Sequence, residues 1–205
     1  VLHGLTDQTR YNIHVGAMWG SAENIGVSAT TEVTFRTQNT IRVVPGESLN
    51  LIAAQATAVS HDVSLTLERG AYYNVTAPIV VPSGCTMRIS AQEAPPRRRK
   101  RRMLSIPSWG RPILYGRDQQ QLFRSIGGDL SLQEIKLTGG HGYHGGAVEA
   151  LSGSLAIDGC IIEGNVADQE GGGVYAYGQT AVLIANTVMS NNTASGSGGG
   201  LCVYS

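Results

Sequence analysis

Carboxylate side chains recur through the second half of the chain, where they could supply acid–base or metal-binding chemistry. Glycoside hydrolases use a pair of Asp or Glu residues, and polysaccharide lyases use a Ca²⁺-binding acidic cluster with a basic residue. The acids from residue 118 onward are Asp118, Asp129, Glu134, Glu149, Asp158, Glu163, Asp168 and Glu170. Asp168 and Glu170 share one short segment, which could hold a cation or simply face solvent. The spacing of the acids indicates no paired catalytic carboxylates.

Two histidines, His141 and His144, lie in a glycine-rich segment on either side of Gly142 and Tyr143. Such a pair could bind a metal ion, but surface loops often carry histidines that bind none. We expect no catalytic residue, no metal site and no cofactor among the residues present. A catalytic site outside this sequence stays the alternative.

Six consecutive basic residues form the one strong charge run, and they account for six of the fifteen Lys and Arg residues. The run comprises Arg97, Arg98, Arg99, Lys100, Arg101 and Arg102. It is typical of a processing site, a nuclear-localisation patch, a clamp for an acidic partner or a solvated loop. We predict that the run contacts an acidic surface, either a neighbouring protein subunit or an anionic glycan.

Modification and disulfide chemistry are only weakly indicated. Asn74 and Asn191 each begin an Asn-X-Thr triplet and are candidate N-glycosylation sites. The cysteines number three, Cys85, Cys160 and Cys202. We expect Cys160 to point into the core and Cys202 to point outward, which argues against a disulfide between them.

A repeat of 26 to 27 residues positions these side chains. Gly171-Gly172-Gly173-Val174 recurs as Gly198-Gly199-Gly200-Leu201, a shift of 198 − 171 = 27, and Gly145-Gly146-Ala147-Val148 lies 171 − 145 = 26 residues earlier. Repeats of this length are typical of solenoids, whose units bury apolar surface only by stacking. The predicted interior columns are Leu132/Ile157/Ile184, Leu137/Ile162/Met189 and Phe123/Val148/Val174/Leu201. We expect Asn165 and Asn192 to form an internal ladder; an ordinary turn role is the other interpretation.

The local pattern within the repeat favours strands. Short alternating segments such as Leu155-Ala156-Ile157 are separated by Gly and Asn, and no helical spacing persists. A glycine content of 27 in 205 residues suits a narrow stacked core. The formal net charge of zero favours neither nucleic acid nor an anionic membrane as partner, and no apolar run is long enough to span a membrane.

The sequence before the repeats predicts further secondary-structure elements. Residues 1–38 read as a β-hairpin, 39–46 as a linker, and 47–59 as an amphipathic helix capped by Glu47 or Ser48. Its apolar face comprises Leu49, Ile52, Ala53, Ala56 and Val59, and it would plug the open end of the solenoid. Residues 91–111, which include the basic run, are predicted to leave the stem as a loop. Because the last repeat ends within a turn at Ser205, we expect the sequence to be a piece of a longer protein.

Two resemblances to known families make the predicted fold more specific. Gly4-Leu5-Thr6 followed by Tyr11, Ile13, Val15 and Ala17 at alternate positions resembles the last strands of a fibronectin type III domain, although Asp7 stands where that family often has Pro. Residues 41–205 resemble the pectin-lyase-like right-handed β-helix superfamily. The Gly-Gly boxes with Asn165-Val166-Ala167 and Asn192-Thr193-Ala194 are similar to repeats of polymorphic outer-membrane proteins.

The resemblances imply an all-β fold, a right-handed parallel β-helix over residues 47–205 preceded by part of a β-sandwich. They imply an extracellular or cell-surface location. We expect a non-catalytic structural or adhesive protein whose stem is a rigid scaffold in a filament, appendage or surface coat, with other protein subunits or anionic glycans as partners. The alternative is a polysaccharide lyase or glycoside hydrolase whose site lies outside these turns, because this stem carries both kinds of function.

Overall fold

A computed structural model describes residues 40–92, 110–178 and 181–204, together with the backbone of residues 10–19 and 26–36. The chain divides into two compact units, Val1–Asn39 and Thr40–Ser205. The predicted basic loop lies for the most part outside the described residues, including all six basic residues of the run.

The first unit contains a β-hairpin, as predicted. Strand β1 (Arg10–Trp19) pairs with β2 (Gly26–Arg36) antiparallel, and Ile13 lies opposite Val33. The register shifts between Ala17 and Met18. Alternation of apolar and polar residues along both strands favours this pairing.

The second unit is a parallel β-solenoid of about six turns with one short helix. It begins with β3 (Thr40–Val43), α1 (Leu49–Val59), β4 (Asp62–Leu67), β5 (Tyr72–Asn74), β6 (Ile79–Val81) and β7 (Thr86–Ala91). It continues with β8 (Ile113–Tyr115), β9 (Phe123–Ile126), β10 (Asp129–Gln133), β11 (Lys136–Thr138), β12 (His141–His144) and β13 (Val148–Leu151). The last turns contain β14 (Ser154–Asp158), β15 (Ile161–Glu163), β16 (Val166–Glu170), β17 (Val174–Tyr177), β18 (Ala181–Ala185), β19 (Val188–Ser190), β20 (Thr193–Ala194) and β21 (Leu201–Tyr204).

The solenoid strands form four parallel sheets, visited in the same order by each of the later turns. Sheet 1 contains β3, β4, β7, β10, β14 and β18, and sheet 2 contains β5, β8, β11, β15 and β19. Sheet 3 contains β12, β16 and β20, and sheet 4 contains β6, β9, β13, β17 and β21. The predicted all-β class and parallel solenoid are therefore confirmed.

The predicted columns are also confirmed by the strand register. Leu132 pairs with Ile157 and Ile157 with Ile184, while Leu137, Ile162 and Met189 align in the same way on sheet 2. Phe123, Val148, Val174 and Leu201 align on sheet 4. Strand burial alternates because successive side chains point to opposite faces of a strand.

Left-handed residues stack at the corners between sheets. One corner carries Glu134, Gly159 and Asn186, and another carries Gly145, Gly171 and Gly198, all with positive φ. A Cβ atom on Gly171 would collide with the carbonyl of Val174, so this box requires glycine for space as well as for conformation. Backbone bonds join successive boxes, for example from Gly173 N–H to Gly199 O at 3.0 Å.

The predicted asparagine ladder lies inside the stem. Asn165 is fully buried, and its Nδ2 donates to Asn192 Oδ1 at 2.9 Å and to Leu137 O at 3.2 Å. Its Oδ1 accepts from Gly140 N–H at 2.8 Å, while Asn192 Nδ2 donates to Ile162 O at 2.8 Å. Each amide therefore bridges to the turn below, and the ladder interpretation is confirmed.

Helix α1 packs against β4 and β6, with Leu49 and Ala53 buried and Ile52 and Ala56 partly buried. Val59 is 83% exposed, so its assignment to the buried face is wrong. It is the last residue of the helix, where the chain turns toward β4.

The start of the helix and of the stem also differs from the prediction. The Ser48 hydroxyl makes no cap bond and donates to Asn50 Oδ1, while Glu47 accepts from Val44 N–H. Residues 40–43, within the predicted linker, form β3, which pairs with β4 at the edge of sheet 1. The stem therefore has a strand ahead of its helix.

Candidate interaction face

The sequence-predicted site residues lie at different places. Arg97, Arg98, Arg99, Lys100, Arg101 and Arg102 are outside the described residues. Asn74 ends β5 on sheet 2, and Asn191 occupies a left-handed corner with φ of 53°. Both asparagines are exposed, so both are accessible, and their glycosylation stays a prediction.

Charge is distributed unevenly along the solenoid sequence. Residues 40–136 contain 13 basic and 7 acidic residues, a net charge of +6 that includes the basic run. Residues 137–205 contain no Lys or Arg and five acids, a net charge of −5 with neutral histidines. The basic run supplies six of these 13 basic residues, so the rest of residues 40–136 hold seven basic and seven acidic residues.

Two histidine–carboxylate pairs lie on sheet 3, in the acidic part of the stem. His141 Nε2 is 2.8 Å from Asp168 Oδ1, and His144 Nδ1 is 3.7 Å from Glu170 Oε2. They arise because β12 pairs with β16, bringing His144 opposite Glu170. The hydrogen bond to Asp168 raises the pKa of His141, since the carboxylate favours the charged imidazole.

Aromatic rings continue this surface from sheet 3 onto sheet 4. The His144 ring stacks on Tyr175 with centroids 4.5 Å apart, and Tyr175 lies parallel to Tyr177 at 6.4 Å. Tyr175 is nearly covered, whereas Tyr177 is 54% exposed and Tyr204 is 41% exposed. Burial is the main cause that raises the pKa of Tyr175. The covered ring of Tyr175 thus lies next to the exposed rings of Tyr177 and Tyr204.

The carboxylates near these rings are hydrogen-bonded. Tyr204 Oη donates to Glu170 Oε1 at 2.8 Å, and this bond raises the pKa of Tyr204 to about 12. Glu149 Oε2 is 2.8 Å from Arg124 Nε, and only 10% of the Glu149 side chain is exposed. Asp168 is more accessible, with 57% of its side chain exposed.

We define the acidic–aromatic face as a group of neighbouring side chains from the last three turns on sheets 3 and 4. Its members are His141, His144, Asp168, Glu170, Tyr175, Tyr177 and Tyr204. Exposed rings beside carboxylates attract cationic groups, because the ring face and the carboxylate both carry negative charge. The face can therefore bind Lys or Arg side chains.

Within the described residues, no group of three or more His, Cys, Asp or Glu side chains could hold a metal ion. Glu149 is bound by Arg124, and Asp168 and Glu170 face different histidines.

The cysteines also take the directions expected of them. Cys160 is fully buried and Cys202 lies beside Tyr175 on the outer side of sheet 4. Burial raises the pKa of the Cys160 thiol. All three cysteines are free thiols.

The sequence contained a signal for the acidic–aromatic face that the separate treatment of histidines and acids missed. The shift of 26 residues between Gly145 and Gly171 also relates His144 to Glu170. Applying the repeat to polar residues as well as to glycines would have placed His144 beside Glu170. His141 pairs with Val166 in the strand register, so its contact with Asp168 does not follow from the repeat.

No protein-family model, curated protein or solved structure matches the chain. No helix in the described part of the chain is long and apolar enough to cross a membrane. Inferences about function therefore come from the fold and from the acidic–aromatic face.

Proposed function

We propose that this chain belongs to a non-catalytic structural or adhesive protein of the cell surface or extracellular space, in which the β-solenoid is a rigid scaffold. The scaffold contributes to a filament, an appendage or a surface coat. Its partners are other protein subunits or anionic glycans. We further propose that the solenoid is a right-handed stem of the pectin-lyase-like superfamily, and that residues 1–38 are the end of a fibronectin type III domain.

The observation that carries the proposal is the continuity of bonding from turn to turn. Parallel ladders run through all four sheets, and the Asn165–Asn192 bond continues them inside the stem. A solenoid of this kind can extend without a wide hydrophobic core, because each turn contacts only its neighbours. A long, exposed side surface is what a scaffold offers to its partners.

The state of Glu149 and Glu170 supports a non-catalytic role for these turns, while the alternative stays a lyase or hydrolase whose site lies outside them. Hydrolysis of a glycosidic bond requires two carboxyl groups on either side of the substrate. Glu149 is nine-tenths covered and bound to Arg124, and Glu170 is bound to Tyr204. These bonds hold the side chains within the surface instead of leaving them open to substrate.

Incubation with polysaccharides separates the two functions. The full-length protein is mixed with acidic and neutral polysaccharides in the presence of Ca²⁺, and unsaturated products and new reducing ends are measured. We expect neither product, while pull-down with the same polysaccharides reports binding. Release of either product in proportion to enzyme concentration would overturn the scaffold proposal.

A further inference from the structure

We propose that the acidic–aromatic face binds the basic run, Arg97 to Arg102, of a second copy of this chain. The inference deepens the proposed scaffold function and rests on it, because it names the partner with which the scaffold assembles.

Charge complementarity is the first observation. The last turns carry a net charge of −5 without a single Lys or Arg, and the basic run carries six positive charges. Without the run, the remaining residues of the chain hold 9 basic and 15 acidic side chains, a net charge of −6. The net charge of the chain is zero only because the six positive charges of the basic run offset the net charge of −6 on all other residues. The basic run of one copy is therefore attracted to the acidic turns of another.

The chemistry of the face is the second observation. Asp168, whose side chain is 57% exposed, supplies carboxylate oxygens that a guanidinium group can bind, and the partly covered Glu170 adds negative charge beside it. Tyr177 and Tyr204 expose ring surface beside them, on which a guanidinium plane can stack. An arginine-rich segment satisfies both features at once, whereas an anionic glycan would be repelled by the carboxylates.

The position of the face is the third observation. The chain leaves the stem after Gln92, past the end of β7 in sheet 1, and is described again at Gly110, ahead of β8 in sheet 2. The acidic–aromatic face lies on sheets 3 and 4, whereas the chain leaves from sheet 1 and returns on sheet 2. The two ends of the segment and the face are therefore on different sheets, which favours contact between copies.

The resulting contact is head-to-tail in kind, because different surfaces meet on the two copies. Such contacts either close into a ring or extend into a filament. Each exposed ion pair contributes only about 0–1 kcal/mol, so association depends on several pairs together and weakens with salt.

Three variants of the full chain test the proposal by analytical ultracentrifugation. The segment variant replaces all six residues of the basic run by Gln. The face variant is Asp168→Asn with Glu170→Gln. The control variant is Asp158→Asn with Glu163→Gln, which removes the same charge from the same turn on sheets 1 and 2. Circular dichroism checks that each variant keeps the strand content of the unaltered chain.

We expect the unaltered chain and the control variant to associate at about 50 mM salt and to dissociate as salt rises to about 300 mM. We expect the segment and face variants, each alone, to stay monomeric. When the two are mixed, the segment of one meets the intact face of the other, and a dimer containing one copy of each should form. Only one complementary contact remains in the mixture, so growth stops at that dimer.

The mixture also distinguishes association between copies from contact within one copy. Monomeric variants that stay monomeric on mixing would overturn the proposal, as would association that the face variant retains. Association that appears only after an anionic polysaccharide is added would also overturn it and assign the run to a glycan. None of these results bears on polysaccharide cleavage, so the scaffold function is tested separately.

A binding measurement gives the same test without assembly. A labelled peptide covering residues 94–105 is titrated with the segment variant, whose own basic run is absent, and anisotropy is recorded. We expect the added Asp168→Asn and Glu170→Gln changes to weaken peptide binding by roughly tenfold or more, which corresponds to about 1.4 kcal/mol. The added Asp158→Asn and Glu163→Gln changes should leave binding unchanged, and equal weakening by both pairs would contradict a specific face.

Discussion

At the scale of single residues, Asn165 shows how the interior of the stem accommodates a polar side chain. The amide is fully buried, and its bonds reach Asn192, Leu137 and the N–H of Gly140. A buried polar group is tolerated only when its hydrogen bonds are made. The side chain thus connects three turns that otherwise share only backbone ladders.

Replacing Asn165 by Leu should therefore destabilise the solenoid although it adds apolar volume. The substitution removes the acceptor of the buried Gly140 N–H and the side-chain donor to Leu137 O, while Asn192 Oδ1 keeps its bond from the backbone N–H of residue 165. Each unsatisfied buried group costs about 1–3 kcal/mol. We expect the free energy of unfolding in urea to fall by roughly 2–4 kcal/mol. Asn191→Gly is the matched control, because Asn191 is exposed and has a positive φ that glycine adopts freely. Equal losses in the two variants would contradict the ladder.

His141 gives a residue-scale prediction about pH. Its pKa is raised chiefly by the hydrogen bond to Asp168, so the folded state binds a proton more tightly than the unfolded chain does. The associated stability is fully present below the unfolded pKa of about 6.5 and is lost as pH rises through the raised pKa of the folded state.

An NMR titration of the His141 ring measures this shift directly. In the Asp168→Asn variant the carboxylate is absent, and we expect the His141 pKa to move down toward its ordinary value. The Asp158→Asn variant serves as control, since Asp158 lies on sheet 1 and bonds Asn186. A His141 pKa that Asp168→Asn leaves in place would show that another group causes the shift.

At the scale of elements, the corners decide how the strands stack. Gly171 and Gly178 both have positive φ, at 65° and 69°. A Cβ atom on Gly171 would collide with Val174 O, whereas one on Gly178 would meet only Ser152 Oγ at 3.5 Å. An Ala substitution therefore meets the cost of the left-handed conformation at both glycines, and the additional cost of a collision only at Gly171.

Gly178→Ala should cost about 1–2 kcal/mol, the usual penalty of a left-handed conformation. Gly171→Ala should cost more, because the backbone must also shift to relieve the collision, and we expect a total of roughly 3 kcal/mol or more. Thermal and urea unfolding of both variants measure the difference. Equal losses would mean that the glycine box is required for conformation alone.

The repeat explains why so much of the stem could be predicted from sequence. A period of 26 to 27 residues fixes which side chains stack, so the columns through Leu132, Leu137 and Phe123 followed from spacing. The helix was found from its apolar face, but Val59 was misplaced because periodicity does not show where a helix ends against its neighbours.

The acidic–aromatic face was missed for a different physical reason. Its side chains come from separate turns, and short segments rich in glycine carry no alternation from which strands could be predicted. His141 and Asp168 meet only because β12 pairs with β16, which is a tertiary contact. Local sequence indicated loops where the structure has strands.

At the scale of the whole molecule, the uneven distribution of charge along the sequence is the dominant feature. A net charge of +6 over residues 40–136 and of −5 over residues 137–205 gives the solenoid sequence two unlike parts. A basic segment and an acidic region on one chain favour ordered contact between copies, since like parts repel when copies align side by side. This arrangement suits a component of a filament or coat.

The most direct test of the scaffold account is the location of the protein on intact cells. Trypsin is added to intact cells that make the full-length protein, and the released peptides are identified by mass spectrometry, with a cytosolic protein as a control for lysis. The account predicts release of peptides from residues 43–136 before any cytosolic peptide appears, because Arg side chains such as Arg42 are exposed on the stem and residues 137–205 contain no Lys or Arg. Peptides recovered only after the cells are broken would contradict a surface or extracellular scaffold.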